Sequence, residues 1–300
     1  MARSLLQITD LSADEIWHIF DLCKMMKRGE AAPKPYAGKT VGTIFHKPSL
    51  RTRLSFEAGI AELGGHSLYI TKDEIDLGKR ESIHDAAKVM SRYLATIVIR
   101  TFSHADVEGL AAHADVPVIN ALTDLTHPCQ ILGDYFTLLE KRGPRDDYKI
   151  VYLGDGNNIT NSWLNLAARI PMRLTIATST ATPPDEAILK RAKELGVSDI
   201  LLTDDPKEAV RGADVIYTDV WASMGQKDKA EEKARLLKQY QVNSTLLEQA
   251  SPYCLVMHCL PAERGKEITD EVMDGPHSVV FDEAENRLHI QKAIMVFLMA

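Results

Sequence analysis

Basic residues are in short supply. The chain of 300 residues carries 35 Lys and Arg against 42 Asp and Glu, a formal net charge of -7 and a pI near 5.8. A dedicated nucleic-acid binder shows a basic face and a high pI, so that class does not fit. Cysteine is sparse too: Cys23, Cys129, Cys254 and Cys259 are the only ones, and no two form a CxxC pair. A chain this long does not need cross-links to hold a core, so free thiols in a reducing compartment are expected. No apolar run approaches the roughly 18 residues of a membrane span. The opening "MARSLLQITDLSADEIW" lacks the apolar core of a secretory signal. Together these absences predict a soluble, cytoplasmic protein. No GxxxxGK[ST] occurs, which removes a P-loop. There is no internal repeat and no low-complexity segment.

What is present is an alternation of short apolar runs with helical patterns. "LSADEIWHIFDLCKMM" predicts an opening helix. Ser12 and Glu15 stand in capping-box spacing, and Ile16, Ile19, Phe20, Cys23 and Met26 share one face. Cys23 is therefore expected in the core. "TVGTIFH", "HSLYIT", "TIVIRTF" and "PVINAL" then read as strands. They are separated by helices in "TRLSFEAGIAELGG", "SIHDAAKVMSRYL" and "ADVEGLAAHA", and followed by one in "CQILGDYFTLLEKRG". Gly143 and Pro144 stop that last helix and give the best domain boundary. A second series follows: strands in "KIVYLGD", "RLTIATS", "DILLTD", "DVIYTDV" and "YCLVMHC", with helices in "NSWLNLAARI", "DEAILKRAKELG" and "KAEEKARLLKQY". "ENRLHIQKAIMVFLM" predicts a C-terminal helix. Nearly continuous apolar strands interleaved with helices mean parallel sheets covered on both faces. The fold class is α/β with two domains, and ligands are expected where strands end and loops converge.

The strand exits carry unusual polar residues. In "FHKPSLRTRLSFE", Ser49, Arg51 and Thr52 sit where a strand hands over to a helix. Unpaired N–H groups at a helix start, a hydroxyl and a guanidinium suit a phosphate. The competing reading makes Ser49 a helix cap and the arginines partners of surface carboxylates, with Arg53 the more structural of the two. "LTHPCQ" places His127, Cys129 and Gln130 at a helix start, and "MHCLPAE" adds His258, Cys259 and the Leu260–Pro261 bond. H-x-C with a distant H-C matches no common zinc pattern, so no metal is expected. "GDGNN" offers Gly154-x-Gly156, a partial dinucleotide fingerprint. Ile159 stands in place of its third glycine, and no acidic residue ends the next strand. "DVWASMG" supplies Asp219 and Ser223 beside a glycine, and a capped loop is its plainer explanation.

Taken together, "SLRTR", "HPCQ", "GDGNN", "DVWASMG" and "HCLP" resemble, in order and across essentially the whole chain, the aspartate/ornithine carbamoyltransferase family. "HCLP" and "SMG" resemble its ornithine branch. The resemblance implies a carbamoyl phosphate-binding domain over residues 1–143, joined by a returning C-terminal helix at 286–300, and an ornithine-binding domain over 144–285. It implies that Ser49, Leu50, Arg51 and Thr52 hold the phosphate, and that Arg100 reaches phosphate and carbonyl oxygen. His127 would donate to that oxygen, Gln130 and the Leu260 carbonyl would accept from the carbamoyl amine, and Cys259 and Arg287 would complete the carbamoyl phosphate set. Asn158, Asp219, Ser223 and Met224 would hold the amino-acid end of L-ornithine, with Cys259 assisting its deprotonation. No metal or organic cofactor is implied, and no nucleic-acid or membrane partner. A homotrimer with sites between subunits is implied, or a multiple of trimers, and a place in arginine metabolism.

Two departures stand out. Leu50 occupies the usual threonine position, so its side chain cannot donate. Asp76 replaces the glutamine common in the ornithine branch and is not expected to be a ligand. Putrescine and acylated ornithine are the alternative amines. An NAD(P)-dependent oxidoreductase built on "GDGNN" and a non-catalytic phosphate-ligand sensor are the rivals from other classes.

Overall fold

A computed structural model describes residues 2–30, 33–222 and 230–300. In chain order its strands are β1 (Thr40–Phe45), β2 (His66–Thr71), β3 (Thr96–Arg100), β4 (Val118–Leu122), β5 (Lys149–Leu153), β6 (Arg173–Ala177), β7 (Asp199–Thr203), β8 (Val215–Thr218) and β9 (Leu255–His258). The helices are α1 (Ala13–Lys27), α2 (Leu50–Glu62), α3 (Ile83–Tyr93), α4 (His104–His113), α5 (Pro128–Arg142), α6 (Asn158–Ala167), α7 (Glu186–Leu195), α8 (Pro206–Val210), α9 (Ala230–Leu237), α10 (Ser244–Leu247), α11 (Asp270–Met273) and α12 (Val280–Met299). Among the described residues, no helix is long and apolar enough to cross a membrane.

The chain divides into two compact units, residues 1–136 with 285–300 and residues 137–284. The first holds a sheet of order β2-β1-β3-β4 and the second a sheet of order β7-β6-β5-β8-β9. Every ladder is parallel, as the apolar runs predict. β3, β4, β8 and β9 are buried at every position, because helices cover both faces; the edge strands β2 and β7 alternate between exposed and half-buried. The first unit also contains the end of α12. There Lys27 Nζ donates to Asn286 Oδ1 at 2.8 Å, and Lys292 pairs with Glu62 at 2.5 Å.

Local chemistry sets the helix starts. Ser12 and Glu15 close the expected capping box at α1, an arrangement that contributes about 1 kcal/mol. Ile16, Ile19, Phe20, Cys23 and Met26 are all buried beneath it. Three helices begin earlier than their apolar patterns indicate. α2 starts at Leu50 because Ser49 caps it, and α6 at Asn158 because Asn157 caps it. α12 starts at Val280, ahead of Asp282 and Glu283 in its first turn, where acidic side chains complement the helix dipole. A capping side chain satisfies N–H groups upstream of the first core-facing residue, so apolar periodicity alone places such helices late.

Sheet order also locates the ligand sites. In the first unit the chain runs from β1 out to β2, then returns to β3 on the other side of β1. In the second it runs from β5 to β7 and returns to β8 on the other side of β5. The exits of β1 and β3, and of β5 and β8, diverge at these reversals. Parallel sheets bind ligands in the crevices so formed.

Candidate active site

The first unit gathers its candidates around the β1 and β3 exits. Ser49 is the N-cap of α2: its hydroxyl accepts from the Thr52 N–H at 3.4 Å and donates to Thr52 Oγ1 at 3.0 Å. Leu50 is the first helical residue and is 69% exposed, so what this position offers inward is its backbone N–H. Arg51 follows, half-buried, and no side-chain hydrogen bond or ion pair joins it to the described residues. Arg53 behaves differently. Its Nε donates to Glu57 at 2.8 Å, and its guanidinium lies 3.9 Å from the centre of the Tyr69 ring. That makes Arg53 a surface support, as the sequence suggests.

Arg100 ends β3 and is buried. Its Nε donates to the Lys47 carbonyl at 3.1 Å and its Nη1 to Thr52 Oγ1 at 3.3 Å. Arg287, also buried, donates from Nη2 to the same Thr52 oxygen at 2.7 Å. Two guanidinium groups thus converge on one uncharged hydroxyl beside a helix N-terminus. Like charges held this close repel, and a multiply charged anion beside them would offset that repulsion.

His127 is buried, just before α5. Burial, reinforced by the nearby Arg287, Arg100 and Lys47 cations, holds its imidazole well below the usual histidine range. A neutral imidazole keeps one N–H to donate. The Gln130 amide nitrogen donates to Asp134 at 2.8 Å, which leaves its carbonyl oxygen to accept. Cys129 is a core residue: its thiol donates to the Asn120 carbonyl at 3.6 Å, and burial pushes it up to about 12. Lys47, buried and paired with Asp124 at 3.0 Å, is a third cation close to His127, which the motif reading did not include. The signal for it was a lysine beside the phosphate motif, at a strand exit. Asp76 is offset by Lys79, whose Nζ lies 3.2 Å from its carboxylate.

In the second unit the β5 exit runs through Gly154 and Gly156 into α6. A Cβ on Gly156 would fall 2.3 Å from the Pro183 carbonyl carbon, so this loop admits only glycine there. Asn158, at the start of α6, is buried. Beside it, Asn157 donates from Nδ2 to Asp219 Oδ2 at 2.8 Å, and Asp219 follows β8. Asp219 Oδ1 accepts from the Val220 N–H at 2.8 Å and from the Cys259 thiol at 3.1 Å. Sequence reasoning chose Asn158 and passed over Asn157; an asparagine directly before a helix was the available sign.

Cys259 is half-exposed and precedes Leu260, which adopts a φ of 57° at the head of a cis Leu260–Pro261 bond. A branched side chain rarely takes that φ, so surrounding bonds hold it. The Leu260 N–H donates to His258 Nδ1 at 2.9 Å, and His258 Nε2 faces Glu267 at 3.1 Å, both side chains fully buried. With Nδ1 accepting, the proton sits on Nε2. Asp219, His258 and Cys259 bring potential ligand atoms within 4.8 Å of one another. The Leu260 N–H, however, already occupies the one lone pair His258 has to offer a metal. Ser223 and Met224 lie outside the described residues.

Known proteins match this arrangement along its length. Residues 3–140 match the family described as aspartate/ornithine carbamoyltransferase, carbamoyl-P binding domain, and residues 146–298 match its Asp/Orn binding domain. A relative from Syntrophus aciditrophicus named ornithine carbamoyltransferase is 52% identical over 301 residues, covering 99% of this chain and 100% of that protein. The solved ornithine carbamoyltransferase from Pyrococcus furiosus superposes with a TM-score of 0.94 at 48% identity, covering 99% of this chain and 97% of that one. The structure from Gloeobacter violaceus gives 0.90 at 40% identity, with 99% of each chain covered.

Proposed function

The chain belongs to the aspartate/ornithine carbamoyltransferase family, and we propose how its residues share the work of that chemistry. It transfers the carbamoyl group from carbamoyl phosphate to the side-chain amine of L-ornithine, giving L-citrulline and phosphate. The full-length likeness to proteins named ornithine carbamoyltransferase carries this reading. The direct test is citrulline formation from carbamoyl phosphate, comparing ornithine with putrescine, acetylornithine and aspartate. Preference for any amine other than ornithine would overturn it.

Carbamoyl phosphate binds to the first unit. The Ser49 hydroxyl, the Leu50 and Arg51 backbone N–H groups, the Arg51 guanidinium and the Thr52 hydroxyl take its phosphate, and Arg287 adds charge. Arg100 spans phosphate and carbonyl oxygen. His127 donates to that oxygen as it becomes negative, an interaction stronger in the transition state than in the ground state. Gln130 and the Leu260 carbonyl accept from the carbamoyl amine.

L-Ornithine binds through Asn158, Asp219, Ser223 and Met224. Its side-chain amine, with an unperturbed pKa near ~10.4, gives up a proton before it can attack. The Cys259 thiol, hydrogen-bonded to Asp219, supports a role in that transfer. The nitrogen lone pair then forms the N–C bond, a tetrahedral intermediate follows, and as the C–O bond breaks the nitrogen's second proton passes to the departing phosphate oxygen. Cys259→Ala is expected to lower kcat by about tenfold or more, with a much smaller change in carbamoyl phosphate affinity. Steady-state rates and calorimetry on one preparation check this; an unaltered kcat removes Cys259 from the chemistry.

The assembly is a homotrimer or a multiple of it. Exposed Leu50 and Leu54, one turn apart on α2, and exposed Leu68 on the edge strand β2 support this, because exposed large apolar side chains are a common mark of an interface. Light scattering is expected to give a mass that is a multiple of three 33.4-kDa chains, and a monomer at working concentration would refute it.

A further inference from the structure

The hydrogen bond between Asn157 and Asp219 crosses the reversal point of the second sheet. β5 and β8 are paired neighbours, Leu153 opposite Thr218, and the chain leaves them in different directions. Asn157 stands beyond one exit and Asp219 beyond the other, and their side chains meet at 2.8 Å. We propose that Asn157 is a positioning residue, whose amide holds the Asp219 carboxylate in the one orientation that receives the amino-acid end of ornithine. The proposal rests on the reading of Asp219 as an ornithine ligand.

Both ends of the Asn157 amide are committed. Its Oδ1 accepts from the Ile159 N–H at 2.9 Å and the Thr160 N–H at 3.4 Å, capping α6, and the Tyr152 hydroxyl lies 3.5 Å away. An oxygen facing backbone donors forces the nitrogen toward Asp219, so the network itself assigns the amide orientation. The loop beneath is fixed as well. The Gly156 N–H donates to the Thr182 carbonyl at 3.0 Å, the Thr160 hydroxyl to the Asp155 carbonyl at 3.0 Å, and Lys233 pairs with Asp155 at 2.7 Å.

The acceptor side is equally constrained. A carboxylate offers about four lone-pair directions. Val220, Cys259 and Asn157 take three of those on Asp219, one of them on Oδ2 and two on Oδ1. Among the described residues no partner takes the remaining direction, on Oδ2; the Asn157 bond aims it, and in this proposal it receives the ammonium group. Without that bond the carboxylate can turn about its Cβ–Cγ axis while keeping its other partners only poorly. Ground-state binding of ornithine then weakens, while the carbamoyl phosphate residues of the first unit are untouched.

Two substitutions separate this role from simple helix capping. Asn157→Ser keeps a good cap oxygen and removes the donor to Asp219. It is expected to raise KM for ornithine by about ten- to a hundredfold, the range for losing a hydrogen bond to a charged group. The carbamoyl phosphate Kd and the thermal midpoint stay at wild-type values. Asn157→Asp also keeps the cap oxygen but sets a second carboxylate against Asp219, and two such groups cannot both ionise easily. Its activity relative to wild type is therefore expected to recover as pH falls and the introduced acid regains a proton to donate. A role confined to capping α6 predicts no such pH-dependent recovery. Unchanged ornithine KM in Asn157→Ser, or equal losses in carbamoyl phosphate affinity and thermal midpoint, overturns the proposal alone, since the wild-type enzyme still makes citrulline. A wild-type enzyme silent toward ornithine overturns the functional reading and this proposal with it.

Discussion

Replacing Arg51 with alanine is expected to weaken carbamoyl phosphate binding about a hundredfold or more, with the thermal midpoint unchanged. The size follows from losing a charge-assisted, fork-shaped contact to phosphate. The unchanged fold follows from where Arg51 sits. It is half-buried in the first turn of α2, and no side-chain bond ties it to the described residues. Arg53, two positions on, is the internal control. Its guanidinium is already engaged by Glu57 and Tyr69, so Arg53→Ala should leave carbamoyl phosphate affinity near wild type. Isothermal calorimetry of both variants decides the matter. Equal losses would make the effect one of general charge, and no loss for Arg51→Ala would remove it from the phosphate site. Arg100 and Arg287 are poorer probes, because both are buried against Thr52 and their removal also disturbs packing.

The second large effect is expected at His127. His127→Gln should lower kcat by about a hundred- to a thousandfold, as the loss of one donor to a developing oxyanion does elsewhere, with only a small change in carbamoyl phosphate Kd. On the proposed reading the imidazole is a neutral donor. Burial and the cations Arg287, Arg100 and Lys47 all disfavour its protonated form, so its neutral form persists well below the ordinary histidine range. The wild-type pH profile of kcat/KM should therefore show no limb near pH ~6.5 from this group. A limb at that pH which disappears in His127→Gln would make the imidazole a titrating base and refute the donor role.

How much of this was legible beforehand varies residue by residue. Strand positions were plain, because a strand covered on both faces is largely apolar, and β3 and β4 are buried at every position with few polar residues. The capping box of α1 was legible because both partners lie within four residues of each other. The starts of α2 and α6 were not, since each depends on a side chain upstream of the apolar pattern. The phosphate motif was visible as residue types, but its division of labour was not. The sequence already marked Arg53 as the more structural of the two arginines, but not its partners, which the folded chain supplies as Glu57 and Tyr69.

By itself, the sequence determined the parallel α/β order and the motifs that carry the resemblance to the family. Those features are local or periodic, and local sterics and hydrogen bonding write them directly into residue order. Tertiary structure alone decided which side chains meet across long separations. It brought Arg100 and Arg287 to Thr52, buried His127 among cations that disfavour its protonated form, turned the Leu50 side chain outward, and set Asn157 against Asp219. Each of these depends on sheet order and desolvation, which are properties of the folded sheet that no short stretch of chain carries.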